Sequence, residues 1–224
     1  MIAGEEWFGV PTVETLLIFT AASLLMNISP GPSNFYVMSC SIAHGWRAGA
    51  IAASGLALGS LVHVAAAAFG LAAVFHHFPF AYGVLKLLGA AYLVYLGIQH
   101  FRRAGRSPSS SQQPRGNLQA RSGRRILAQS IVVEVSNPKT ALFFLAFLPQ
   151  FVDLSRGPPA PQILVLGCIV SLSAIPCDLL VAWLSGRAAT AMSKSACVAR
   201  IQEYLSGSIL VGLGIYVARS ERVV

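Results

Sequence analysis

Asn27-Ile28-Ser29-Pro30-Gly31-Pro32 stands inside one apolar stretch, and Val135-Ser136-Asn137-Pro138-Lys139-Thr140 stands inside another. Each places a proline directly behind a residue that favours helix N-caps, Ser29 or Asn137. Proline suits the first helical position, where its missing N–H would be unpaired anyway, and it pushes the preceding residue out of the α region. Ser29 and Asn137 are therefore expected to begin new helices, with Pro32 as the third helical residue and Gly31 allowing close backbone approach. Both interrupted stretches exceed the ~20 apolar residues that a helix needs to cross a bilayer. Two helices broken mid-membrane and restarted as half-helices are predicted. Two proline kinks repaired by neighbouring helices are the plainer alternative.

Composition agrees with membrane residence. Hydrophobic residues make up 55% of the 224 and charged residues 11%, with mean hydropathy +0.65, where a soluble domain carries about 25% charge. Six apolar segments follow, at about 14–41, 48–74, 80–101, 127–151, 162–186 and 201–218, and the predicted fold is an all-α membrane protein with six transmembrane helices. The polar run Ser107-Pro108-Ser109-Ser110-Ser111-Gln112-Gln113-Pro114-Arg115-Gly116 cannot bury a core and reads as a linker. A single transmembrane domain is thereby divided into repeat 1 (14–101), a linker (102–126) and repeat 2 (127–218). The halves resemble each other weakly: the break prolines are 108 residues apart, and Tyr95-Leu96-Gly97-Ile98 matches Gly212-Leu213-Gly214-Ile215. Three helices per half make the second half enter from the opposite side, the inverted repeat of many secondary transporters.

Orientation comes from Lys and Arg. Seven of the 16 lie in the linker region: Arg102, Arg103, Arg106, Arg115, Arg121, Arg124 and Arg125. With that loop in the cytoplasm, Arg47, Arg187, Lys194 and Arg200 join them, and only Arg156, Arg219 and Arg222 fall outside. Both termini are expected on the periplasmic or exterior face of a bacterial inner membrane. The N-terminus carries Glu5 and Glu6 where a cleavable signal needs basic residues. The net charge of +8 is a topology signal with affinity for anionic lipid, not a nucleic-acid surface. Cys40, Cys168, Cys177 and Cys197 are scattered without a CxxC pair and read as small apolar residues.

Charges at bilayer depth cost at least ~2.5 kcal/mol on insertion scales, so each requires a role. Glu134, Asp178 and His63 are the candidates for proton coupling, with His63 and Asp178 expected to face each other. The free N–H groups of the two half-helices suit a carboxylate. Ser29, Pro30, Gly31, Pro32, Asn34, Asn137, Pro138 and Lys139 are accordingly the candidates for binding substrate. A structural alternative has Lys139 simply neutralise Glu134 or Asp178. No catalytic residue, cofactor or metal site is expected. Gly45-x3-Gly49 and Gly55-x3-Gly59 permit close helix contact inside the chain and leave a homodimer open.

At these residues the sequence resembles the LysE/RhtB family of amino-acid exporters. The resemblance is carried by Ser29-Pro30-Gly31-Pro32, by His44-Gly45-Trp46-Arg47-Ala48-Gly49 and by Gly55-Leu56-Ala57-Leu58-Gly59. In the second half it is carried by Asn137-Pro138-Lys139-Thr140-Ala141-Leu142-Phe143-Phe144-Leu145-Ala146-Phe147-Leu148-Pro149-Gln150-Phe151. It covers nearly the whole chain. It implies efflux of amino acids or their derivatives, driven by the proton-motive force. Ser60 follows Gly59 where the family often has an acidic residue. Few acidic side chains favour neutral substrates of the threonine or homoserine kind. The alternatives are a divalent-metal exporter and a membrane thiol–disulfide carrier.

Overall fold

α1 (Val13–Ile28) starts where the Thr12 hydroxyl accepts the Thr15 backbone N–H at 3.1 Å, with Glu14 in the first turn at the positive end of the dipole. It stops because Pro30 and Pro32 cannot supply the N–H groups that the carbonyls of Met26 and Ile28 would need four residues on. α2 (Pro32–His44) follows at a bend of 52°. The remaining helices are α3 (Trp46–His77), α4 (Ala81–Ala104), α5 (Gly123–Val135), α6 (Pro138–Leu142), α7 (Pro159–Arg187) and α8 (Ala196–Arg219). This computed structural model describes residues 9–29, 31–77, 81–105, 122–187 and 196–219. No strand occurs among them. Pro30, most of the predicted linker and Lys194 lie outside the described residues.

α5 and α6 repeat the arrangement of α1 and α2, with a bend of 43° at Ser136-Asn137. Past α6 the chain widens into a π turn over Phe143–Phe147 and tightens into a 3-10 turn over Leu148–Phe151. The cause is local. Pro149 has no N–H for the Leu145 carbonyl, the Leu148 N–H reaches back to Phe143, and the Gln150 side chain caps the Ala146 carbonyl at 2.6 Å. The predicted fourth segment is thus α-helical only in part.

Among the described residues two helices, α3 and α7, are long and apolar enough by themselves to cross a membrane, and up to four spans result if each bent pair counts as one. α4 and α8, at 24 residues each, reach ~36 Å.

Packing fixes the directions of the helices. α3 and α7 run antiparallel, with Ser60 on Ser171, Val64 against Gly167 and Gly49 against Ala182. α4 and α8 are antiparallel too, with Ala90 beside Gly214, Gly97 beside Gly207 and His100 bonded to Glu203 at 2.6 Å. α3 is parallel to α5, since Gly55 meets Ser130 and Gly59 meets Glu134. α1 is parallel to α7, through Gly9 against Gly157 and Asn27 against Val170. α1 therefore runs opposite to α5.

Lipid is as apolar as leucine, so close contact rather than burial from water holds such helices together. Gly59 illustrates this: a Cβ there would stand 2.7 Å from the Cβ of Glu134. Both glycines of Gly55-x3-Gly59 are thus used within the chain. The aromatic centre of the core is Phe19 with Phe143, Phe147 and Phe151, at ring distances of 4.7 to 6.1 Å.

Candidate functional site

The two breaks meet. Proline at position 138 leaves the Glu134 carbonyl without its i+4 donor, as Pro30 leaves that of Met26. At Glu134 the Asn137 backbone N–H bonds the carbonyl at 2.9 Å, and in both cases a side chain from elsewhere adds a donor. His63 on α3 donates Nε2–H to the Glu134 carbonyl at 2.9 Å, with its ring stacked on Phe144. Lys139 on α6 donates Nζ–H to the Met26 carbonyl at 3.1 Å and to the Ser29 carbonyl at 2.5 Å. Asn34 closes the same end of α1 by donating to the Asn27 carbonyl at 3.2 Å. Lys139 is held by this geometry: the negative end of α1 attracts it, and two carbonyls accept its hydrogen bonds.

Sequence expectation and structure differ at the first break. Ser29 is the C-cap of α1 rather than an N-cap, and Gly31 is the N-cap of α2 with no side-chain bond. Pro32 is accordingly the first helical residue, not the third. The Ser29 hydroxyl is buried with no partner among the described residues. Pro30 lies outside the described residues. At the second break Asn137 is an N-cap, accepting the Lys139 backbone N–H at 3.1 Å ahead of Pro138.

Between the breaks lies a buried acid held by both halves. The Ser33 hydroxyl, on the first turn of α2, donates to Glu134 Oε2. Asn137 Nδ2 donates to Ser33 Oγ at 2.8 Å and approaches Glu134 Oε2 at 3.4 Å. Asp178 on α7 is also buried, yet its carboxylate makes no hydrogen bond or ion pair among the described residues. Both acids line one cavity, together with Asn34, Asn137, Lys139 and Thr140. Asn27, Ser33 and Ser60 complete its polar wall. The cavity offers about 30 Å³, room for about two waters, so a larger solute enters only if helices move.

The expected residues therefore separate. Asn34, Glu134, Asn137, Lys139 and Asp178 line the cavity, whereas Ser29, Gly31, Pro32, Pro138 and His63 do not. His63 reaches the site through the backbone of Glu134 rather than by facing Asp178. Ser33, Asn27, Ser60 and Thr140 were not read as site residues from the sequence. Among the described residues, no three His, Cys, Asp or Glu side chains gather as metal ligands.

Residues 24–221, which contain both breaks and every cavity residue, match the model of the LysE type translocator family. The chain belongs to this family.

The translocator is 35% identical over 156 residues to the homoserine/homoserine lactone efflux protein of Salmonella typhi, covering 70% of the chain and 73% of that protein. It is 30% identical over 217 residues to the leucine efflux protein of Klebsiella pneumoniae, covering 94% and 96%. It is 30% identical over 207 residues to the uncharacterized membrane protein YrhP of Bacillus subtilis, covering 91% and 98%. No solved structure matches the translocator. The functionally named relatives are efflux proteins, not enzymes, and the translocator's long apolar helices fit a membrane protein of that kind.

Proposed function

We propose that the translocator exports small neutral amino acids or their derivatives, in exchange for protons, by alternating access. The observation that carries this reading is the pairing on one cavity of Glu134, whose Oε2 is hydrogen-bonded by Ser33 and Asn137, with Asp178, whose carboxylate has no hydrogen-bond partner among the described residues. A bare carboxylate at bilayer depth is expensive. Asp178 therefore crosses between the two access states only when a proton or a substrate ammonium neutralises it. Competition of the two for one carboxylate makes the movement an exchange. The substrate carboxylate is placed at the opposite wall, on the third N–H of Lys139 and the first turn of α2. With a single free acid, a second positive charge on the substrate has no partner, which favours neutral amino acids. The names of the relatives, homoserine and leucine efflux, agree with that class.

The proposed frame is two inverted three-helix repeats in a bacterial inner membrane. It is supported by the opposed directions of α1 and α5, by the two bent pairs, and by the self-matching pairs α3–α7 and α4–α8. The excess of arginine in the linker favours a cytoplasmic linker and external termini.

The test is uptake of labelled amino acids into inside-out vesicles carrying an imposed proton gradient, with and without an uncoupler. Uncoupler-sensitive uptake of leucine, homoserine or threonine is expected. Uptake that ignores the uncoupler removes the proton from the mechanism, and no uptake of any amino acid removes the exporter reading.

A further inference from the structure

The ammonium of Lys139 rests on carbonyl oxygens at an interrupted helix. One oxygen, from Met26, is left over because Pro30 has no N–H; the other belongs to Ser29, where the backbone turns extended at ψ 117°. The side chain is only 7% exposed. It lies across Gly31, where an added Cβ would stand 3.1 Å from Nζ. In secondary transporters with broken helices, unwound carbonyls and the negative ends of half-helices coordinate the coupling cation. Here the same kind of oxygen set is occupied by a cation that the chain supplies itself. Neither Glu134 nor Asp178 forms an ion pair with it among the described residues, so its direct contacts are the two carbonyls.

We propose that Lys139 fills, as a tethered ammonium, a monovalent-cation site at the end of α1. The translocator then needs no free alkali cation, and removal of the side chain opens a site that sodium or a small alkylammonium occupies. The part concerning transport rests on the exporter reading above; the part concerning binding does not.

Purified wild type, Lys139→Ala and Lys139→Met are compared by thermal unfolding in sodium chloride, methylammonium chloride and choline chloride at equal ionic strength. Lys139→Ala is expected to gain roughly 2–4 °C in sodium or methylammonium over choline. The wild type is expected to show no difference. Lys139→Met, which fills the space without charge, is expected to show none either. Equal melting of Lys139→Ala in all three salts overturns the proposal, as does an equal sodium response in the wild type. The wild type also supplies an arm that does not depend on the variant folding. Its proton-driven uptake is expected to be unchanged when choline replaces sodium, and a severalfold loss overturns the proposal. Absence of uptake in every salt, with the sodium response of Lys139→Ala intact, sinks the exporter reading and leaves the cation site standing.

Discussion

His63 Nε2 lies 2.9 Å from the carbonyl oxygen of Glu134, four residues before Pro138, and supplies the hydrogen bond that the proline removes. In a His63→Ala variant that carbonyl keeps only the Asn137 backbone N–H, at 2.9 Å. The loss of one of two hydrogen bonds costs about 0.5–1.5 kcal/mol, so the detergent-purified variant is expected to melt a few degrees below wild type. His63→Gln, which keeps an N–H donor, is expected to recover part of the difference. Melting of His63→Ala at the wild-type temperature would show that the bond contributes nothing.

Asp178 and Glu134 are expected to fail differently. Asp178→Asn removes the group that alternates between proton and ammonium, so uptake driven by a proton gradient should fall to the uncoupled background in vesicles. Its melting temperature should hold or rise, because a buried carboxylate without a hydrogen-bond partner among the described residues has been removed. Glu134→Gln should lose transport and also stability, since Ser33 and Asn137 both donate to that carboxylate. Wild-type uptake in Asp178→Asn would take that residue out of the exchange.

Ser33→Ala removes one donor from Glu134. Hydrogen bonds to charged groups contribute about 1.5–3 kcal/mol, which corresponds to roughly 10- to 100-fold in an affinity or a rate. The expected readout is reduced uptake from protein inserted at wild-type levels, with Ser33→Thr restoring much of it. Equal loss in both variants would assign the effect to packing.

Gly59→Ala tests the contact that sets Glu134 against α3. The added carbon would stand 2.7 Å from the Glu134 Cβ and 2.9 Å from the Ile131 carbonyl. Overpacking costs about 1–3 kcal/mol, and the displaced helix carries the acid with it. Lowered melting together with lost uptake is expected; unchanged values for both would mean that the helices separate without cost.

Orientation is checked by a single cysteine. In a variant lacking the four native cysteines, Ser109→Cys should react with a membrane-impermeant maleimide in inside-out vesicles and stay unlabelled in intact cells. The reverse pattern would invert the proposed topology.

Proline made the breaks legible from sequence, because its missing N–H acts locally whatever surrounds it. The destinations of His63 and Lys139 were not legible. Each spans from one part of the chain to a backbone oxygen far away, and backbone oxygens leave no mark in a sequence. The roles of the serines were hidden for a different reason. Ser23, Ser39, Ser41 and Ser54 bond the carbonyl four residues back on their own helix, the ordinary fate of a membrane serine. Ser33 and Ser60 look the same on paper but bond across to Glu134 and Ser171. At Ser29 the residue types suited a cap, and the sequence alone did not distinguish the end of one helix from the start of the next.

The interlocked breaks also impose an order on biogenesis. His63 precedes Glu134 in the chain, so the second break finds its donor already made. Met26 precedes Lys139 by 113 residues. At roughly 5–20 residues per second, the ribosome reaches Lys139 on the order of ten seconds after Met26. Until then the first half leaves the translocation machinery with an unfinished helix end, which lipid cannot satisfy. A first half synthesised alone would remain in that state, a substrate for membrane proteases, until a second half is supplied.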